Sequence, residues 1–285
     1  MSAALREIAI PSVPGDGAQY DRAMANTEAA GEGSSFDIQS VSRVGQILSL
    51  FGPHTTELSA VEVAERLGLN RTTAYRYCAS LVTAGMLERG HSRGGFVLGG
   101  LLLQLGIHAL HRQRVLDLAP PYLSELSRTA GTTAVLSLWG ARGPVVALVQ
   151  EDTTRAVVVT VRPGTQLEMD AAQMRVFLAH HQDHKLIERM LDELDAPRRA
   201  EVEAGIYSVR RTGYSLVKLA GGLYGAAAPV FDEHGITAAI ALLGAEQVSD
   251  LSAGSPVLTA LVNTAAALSD ELTRREGEQQ IAYRR

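Results

Sequence analysis

Apolar residues recur at helical spacing in two short stretches near residue 50, each with a clear start and stop. The first stretch covers 39–51 and ends at Gly52, with Ser40 as a candidate N-cap. The second opens at Ser59, which stands three residues before Glu62 in the spacing of a capping box. The pattern predicts two helices separated by a tight turn.

A third helix is predicted after Asn70, a second candidate N-cap. Ala74, Cys78 and Leu81 follow at i, i+4 and i+7, which predicts a buried face and makes Cys78 a packed core thiol. The outer side chains of the first two turns include no acid and are Arg71, Thr72, Thr73, Tyr75 and Arg76. A helix whose first helical turn is basic, and which follows a tight loop after another helix, is typical of a DNA-recognition helix. Such a helix enters the major groove.

The pattern changes to short strands after the third helix. Residues 86–89 and 95–98 alternate as strands around a glycine-rich turn at 90–94. The hairpin predicts a wing, with Arg89 and Arg93 available to a neighbouring DNA backbone or minor groove. Residues 37–98 are therefore interpreted as a winged helix-turn-helix domain that binds double-stranded DNA. A three-helix scaffold that docks on another protein is the alternative interpretation.

Residues 99–114 form a linker whose central helix is almost entirely apolar, with leucine at 101, 102, 103, 105 and 110. Such a helix needs cover, and its copy in a second subunit would place two recognition helices on one DNA. We therefore expect a homodimer or a homotetramer. Packing of the helix onto its own domain is the alternative.

Residues 115–285 alternate between about six strands and several helices, which predicts an α+β domain on an antiparallel sheet. The strands are expected at 132–139, 144–150, 156–161, 214–219, 223–231 and 236–243. Small residues on the predicted strands, such as Ala226, Ala228 and Ala241, leave room for a small ligand on the inner face. A filled core without a ligand is the alternative.

Composition places limits on these hypotheses. The net charge of −5 excludes a uniformly basic polymer binder, but residues 37–98 carry six Arg against five acids. Residues 1–36 lack apolar bulk and are expected to form a disordered tail.

The single cysteine excludes an internal disulfide and fits a reducing cytoplasm. No apolar run is long enough for a membrane helix, and the first residues do not resemble a signal peptide.

Catalytic and metal-binding patterns are weak in this sequence. It contains no G-x-G-x-x-G before a helix, no phosphate-binding loop and no H-E-x-x-H. His180 and His184 could share one helix face and bind a metal with His181 and Asp183, but a solvated cluster is the favoured interpretation. No cofactor or metal is predicted. An enzyme remains the competing class, although the second domain lacks cysteine and shows no evident Ser–His pair.

Taken together, several motifs resemble the IclR (isocitrate lyase regulator) family in their order along residues 38–275. They are residues 41–50, 68–76 and 96–99, then Pro163-Gly164, Val176-Phe177-Leu178-Ala179, Gly213-Tyr214 and residues 227–232. The resemblance implies a winged-helix domain, a linker helix and a GAF-like effector domain. Family members are transcription regulators, dimers or dimers of dimers, that answer small, often carboxylated or aromatic metabolites.

The resemblance also implies an effector site, at which this chain departs from the family. Met174 stands where the family usually has a glycine, and it would fill space that a ligand carboxylate needs to approach backbone amides. Thr212 replaces the arginine of an Arg-Gly-Tyr motif, and Lys218 could attract an anion in the following loop. The residues expected around an organic or aromatic acid are Met169, Ala172, Met174, Lys218, Ala226 and Ala241.

Overall fold

The computed structural model describes residues 6–9, 38–154 and 157–283. These residues fall into two compact units, one ending at Arg112 and the other beginning at Gln113. A short strand near the start of the chain, β1 (Arg6–Ala9), belongs to the second unit.

The first unit contains four helices and a three-stranded antiparallel sheet. Its elements are α1 (Gln39–Leu48), β2 (Leu58–Ser59), α2 (Ala60–Arg66), α3 (Arg71–Thr83), β3 (Leu87–Arg89), β4 (Gly95–Leu98) and α4 (Gly100–His111). The strand order is β2-β4-β3. The hairpin β3–β4 confirms the predicted wing, and Leu58–Ser59 adds a third strand that the sequence pattern assigned to a helix start.

Local capping explains where the helices of this unit begin. The Ser59 side chain accepts the Glu62 N–H while the Glu62 carboxylate accepts the Ser59 N–H, so the predicted capping box is confirmed. The Asn70 side chain accepts the Thr73 N–H at 2.8 Å and begins α3. The prediction of Ser40 as a cap is wrong, because the last extended residue before α1 is Ile38 and Ser40 lies inside the helix.

The second unit is built on a five-stranded antiparallel sheet in the order β6-β5-β10-β9-β8. Its elements are α5 (Arg114–Ala130), β5 (Thr133–Gly140), β6 (Gly143–Gln150), β7 (Val157–Thr160), α6 (Ala172–His180), α7 (His184–Asp192), α8 (Ala196–Thr212), β8 (Ser215–Leu219), β9 (Leu223–Asp232), β10 (Gly235–Ala245) and α9 (Pro256–Tyr283).

The expected sixth strand of this sheet lies elsewhere. β7 pairs in parallel with β1 instead of joining the main sheet, and Glu7 pairs with Val158 in this register. The prediction of a disordered tail is therefore wrong for Arg6–Ala9, because backbone pairing orders a segment that has too little apolar surface to order itself. The other residues of the predicted tail lie outside the described ones.

Helices cover both faces of the main sheet, so the unit has three layers. One face, called the α6 face here, packs against α6, α7 and α8 with Phe177 and Val209 fully buried. The opposite face, called the α9 face, packs against α5 and α9 around Leu123 and Leu261. Because side chains alternate along a strand, neighbouring residues of the sheet lie in different cores.

Candidate functional sites

Helix α3 turns one face into the protein and leaves the other outside. Ala74 and Cys78 are completely buried, and burial raises the pKa of the Cys78 thiol. The five side chains expected outside lie there, four of them exposed and Thr73 half-buried: Arg71, Thr72, Thr73, Tyr75 and Arg76. The orientation inferred from the spacing is thereby confirmed.

The two arginines of this face keep their charges available. Within the part of the chain that the structure describes, Arg71 and Arg76 have no carboxylate within ion-pair distance. Both lie in the first two turns of α3, where unpaired backbone N–H groups and the helix dipole also favour an anion. The arrangement suits a polyanion such as the DNA backbone.

The turn of the wing rests on an acidic residue that the sequence analysis did not identify. The Glu57 carboxylate accepts the Ser92 N–H at 2.8 Å. A Cβ atom at Gly90 or Gly95 would overlap the present position of this carboxylate, so a larger residue at either position would displace the Glu57 side chain. The contact holds the turn while His91 and Arg93 remain exposed.

Arg89 ends the wing strand β3, and its side chain contacts α3. Its guanidinium carbon is 4.7 Å from the centroid of the Phe96 ring and 5.6 Å from that of the Tyr75 ring. Its Nη2 donates to the Tyr75 hydroxyl at 3.3 Å. The two residues, expected separately as DNA contacts, are thus brought together by the fold.

Helix α4 contributes no buried residue. Leu103 is 68% exposed, and Leu105, Ile107 and Leu110 are also exposed. A helix this apolar is unfavourable in water, so the structure leaves a surface that a partner could cover.

On the α6 face of the second unit, four of the expected effector residues come together. Met174 is 2% exposed, and Ala172 and Ala241 are also buried, while Met169 is half-buried against the same core. The terminal methyl carbon of Met174 lies 2.6 Å from the position that a Cβ of Gly143 would take, and Gly143 also has a left-handed φ of +133°. Met174 therefore occupies space between α6 and the β5–β6 turn.

Comparison with known protein families covers most of the chain. The IclR helix-turn-helix domain matches residues 40–91, and the family described as bacterial transcriptional regulator IclR C-terminal matches residues 107–270. The chain belongs to the IclR family. It is thus a transcriptional regulator with an N-terminal DNA-binding domain and a C-terminal effector domain.

Individual relatives agree with this assignment. The HTH-type transcriptional regulator BhcR of Paracoccus denitrificans is 25% identical over 84% of this chain and 85% of its own. An IclR-type regulator from a Silicibacter species superposes with a TM-score of 0.72 at 22% identity, over 82% of this chain and 96% of its own. An IclR homologue from Microbacterium hydrocarbonoxydans, solved with 4-hydroxybenzoate, gives 0.65 at 20% identity over 82% and 98%. The two structures support the fold.

In this IclR-family fold, the six expected effector residues do not all lie at one site. Ala226 is buried in the core of the α9 face, on the opposite side of the sheet from Ala241, so the two residues do not line one site. Lys218 alternates with Val217 of the α6 face and therefore leaves the sheet on the other side, where its Nζ lies 3.2 Å from Glu246. Strand alternation thus removes Lys218 from the expected anion site.

The histidines are distributed over two helices. His180 ends α6 and His184 begins α7, so the predicted shared helix face was wrong. Asp183 caps α7 by accepting the Leu186 N–H at 3.0 Å. Among the described residues no group of three His, Cys, Asp or Glu side chains could hold a metal ion.

Three polar groups near the α6 face were not predicted from the sequence. The hydroxyls of Thr133 and Ser137 are buried without a hydrogen-bond partner in the described structure. Both residues lie two positions from Val135 along β5 and therefore point to the same face as Val135. Arg175 is buried beside Gly205 and pairs with Glu201 at 2.6 Å. A polar residue between apolar ones at i, i+2 spacing was the available signal for Ser137.

In the described residues, no helix is long and apolar enough to span a membrane. BhcR and the Silicibacter protein are both named as transcriptional regulators.

Proposed function

We propose that this IclR-family regulator binds a double-stranded operator through the outer face of α3. The proposed contacts are Arg71, Thr72, Thr73, Tyr75 and Arg76, with Arg89 and Arg93 of the wing assisting. The observation that carries the proposal is that this face is exposed, contains no acid and keeps its arginine charges unpaired. Arg can donate two hydrogen bonds to guanine, and hydroxyl groups can bind phosphates.

The exposed apolar side of α4 supports a second element of the proposal, a homodimer. Pairing α4 with its copy would remove Leu103, Leu105, Ile107 and Leu110 from water. Two recognition helices would then address the two halves of a palindromic operator. Two such dimers would give a homotetramer.

The effector domain is proposed to bind a small organic or aromatic acid on the α6 face. Met169, Ala172, Met174 and Ala241 are the retained contacts, and the unpartnered Ser137 hydroxyl offers a hydrogen bond. Lys218 and Ala226 are left out because they lie on the other side of the sheet. Met174 limits the size of the ligand because its methyl group reaches Gly143.

DNA binding is tested by selecting duplexes from a random-sequence pool and measuring their affinity at several salt concentrations. The expected result is enrichment of a palindromic sequence whose affinity falls steeply with salt, because bound phosphates release counterions. Failure to enrich any duplex, or an affinity independent of salt, would contradict the proposal. Capture of a protein partner with weak salt dependence would favour the interaction-module alternative.

The effector site is tested by thermal unfolding of the full chain with 4-hydroxybenzoate and a panel of other organic acids. A ligand of the folded state raises the unfolding temperature. Substituting Met174→Gly should enlarge the set of acids that stabilise the protein, whereas Lys218→Gln should leave that set unchanged. A panel that stabilises neither the wild type nor the Met174→Gly variant would contradict the proposed site.

Oligomeric state is tested by light scattering on the wild type and on Leu103→Glu, whose charge would lie on the apolar side of α4. A dimer or tetramer is expected for the wild type, and dissociation for the variant. Glu substituted for the exposed Gln104 is the matched control.

A further inference from the structure

Tyr75 and Arg89, fourteen residues apart in the chain, connect α3 with the wing. The tyrosine lies in the second turn of α3, and the arginine ends the first wing strand. The Arg89 guanidinium lies over the Phe96 ring and near the Tyr75 ring, and it donates to the tyrosine hydroxyl. Because Phe96 is completely buried, the arginine is placed on a fixed platform.

The guanidinium of Arg89 carries a charge that no nearby acid neutralises. In the described part of the chain no carboxylate forms an ion pair with it. The neighbouring Glu88 accepts the Gly100 N–H, and Glu57 accepts the Ser92 N–H, so each of these carboxylates has another partner. An exposed cation that rests on a buried ring and has no described counter-ion is suited to bind an anion.

The tyrosine hydroxyl has a complementary property. It accepts a hydrogen bond from Arg89, which leaves its own proton free to be donated. Tyr75 is 49% exposed, and the guanidinium has further N–H groups that the tyrosine does not use. One phosphate oxygen at the junction of α3 and the wing could accept from both side chains at once.

We propose that Tyr75 and Arg89 form a single phosphate-binding unit that bridges the recognition helix and the wing. The unit binds the DNA backbone and reads no base, so it contributes equally for every sequence. Phe96 is its positioning residue. This inference rests on the proposed DNA binding, and it adds that the two contacts depend on each other.

The test is a double-mutant cycle on a duplex selected by the wild type from a random-sequence pool. Tyr75→Phe keeps the ring and removes the hydroxyl, and Arg89→Gln removes the charge. Each is expected to weaken binding about tenfold, the size of one charge-assisted hydrogen bond. The double variant should bind the duplex about as tightly as the single variant with the lower affinity, because either change alone already disrupts the unit.

Salt dependence separates this role from a merely structural one. Loss of one phosphate contact reduces the slope of log affinity against log salt by about 0.9. Tyr75→Phe changes no charge, yet it should reduce the slope by the same amount as Arg89→Gln, because the guanidinium then leaves the phosphate. Arg89→Lys keeps the charge but loses the planar stack, so it should restore the slope only in part.

Two controls keep the outcome interpretable. Arg93→Gln removes an exposed wing charge that has no described contact with Tyr75, and its effect should multiply with that of Tyr75→Phe. Circular dichroism and thermal unfolding establish that each variant is folded. The proposed unit is wrong if the affinity losses of Tyr75→Phe and Arg89→Gln multiply in the double variant. It is also wrong if Tyr75→Phe leaves the slope of log affinity against log salt unchanged. Neither result would contradict DNA binding itself. A folded wild type that enriches no duplex would overturn both proposals.

Discussion

Two helices of this protein make opposite use of their side chains. In α3, three of thirteen residues are buried, and the outer face is polar and basic. In α6, eight of nine residues are buried, including Gln173 and Arg175. The first helix presents its chemistry to a partner outside the molecule, whereas the second lies between the sheet and α8, so any ligand must compete with packed side chains.

This contrast separates two kinds of sensitivity to substitution. A change on the outer face of α3 should alter binding with little effect on folding, because no core contact is lost. A change in α6 should alter folding first, because interiors are close-packed and tolerate little loss of volume. Substitutions in the core of the α6 face should therefore cost the most free energy, and those on exposed side chains the least.

Met174→Ala should give the largest effect, a loss of about 2–5 kcal/mol of stability, because it leaves a cavity beside Gly143. Chemical denaturation of the full chain, followed by the single tryptophan Trp139 in the same core, measures it. Met190→Ala, at a half-buried position on α7, should cost less. If the two variants lose the same free energy of unfolding, α6 is no more sensitive to lost volume than the half-buried position on α7.

Arg76→Ala should weaken operator binding by about 1–3 kcal/mol if the side chain reads a base. Its effect on folding stability should stay within about 0.5 kcal/mol, because the side chain is exposed. A gel-shift titration and a denaturation curve on the same preparation give both values. Arg66→Ala, exposed at the end of α2, is the matched control and should affect neither; an Arg76→Ala variant with wild-type affinity would contradict base reading.

Asn70→Ala should cost about 1 kcal/mol of stability, because the Thr73 N–H loses its acceptor at the start of α3. The expected fall in operator affinity follows from fraying of the first turn. Asn70→Ser offers another capping hydroxyl and should recover most of the stability. If both variants unfold at the same denaturant concentration, the cap does not stabilise the helix.

His180 should make the effector domain less stable as the solution becomes more acidic. Burial, together with the charge of Arg210, lowers the pKa of His180 below the ordinary histidine value of 6.5. The unfolded chain therefore binds this proton first, so stability is full above pH 6.5 and decreases as the pH falls below it. His180→Gln should reduce the decrease between pH 7.5 and 5.5, whereas His184→Gln, at an exposed position, should not; a decrease of equal size in both variants would contradict the assignment.

Local patterns were sufficient for much of the DNA-binding unit. Ser59 and Asn70 cap the helices that follow them, and Ala74, Cys78 and Leu81 lie inside, as the helical spacing predicts. These features depend on hydrogen bonds and periodicity within a few residues of sequence. The Glu57 contact under the wing and the stacking of Arg89 were not predicted, because they join residues distant in the chain.

The effector domain was less accessible to sequence reasoning. The strands of the main sheet were placed nearly correctly, but Ala226 was assigned to the wrong face. Residues 225–228 read Gly-Ala-Ala-Ala, so no alternation of polar and apolar residues indicates which side of β9 faces α6. Lys218 was misplaced for a related reason, since only the register of β8 on β9 fixes the side from which it emerges.

Local sequence patterns were enough to predict where most helices and strands begin, which face of α3 is polar, and which family the motifs resemble. Those properties arise from caps, turns and periodicity, which act over a few neighbouring residues. The folded structure was needed to show which strands share a sheet, that Met174 fills the space beside Gly143, and that Tyr75 contacts Arg89. Such contacts depend on how distant segments pack, and a linear pattern carries little information about that packing.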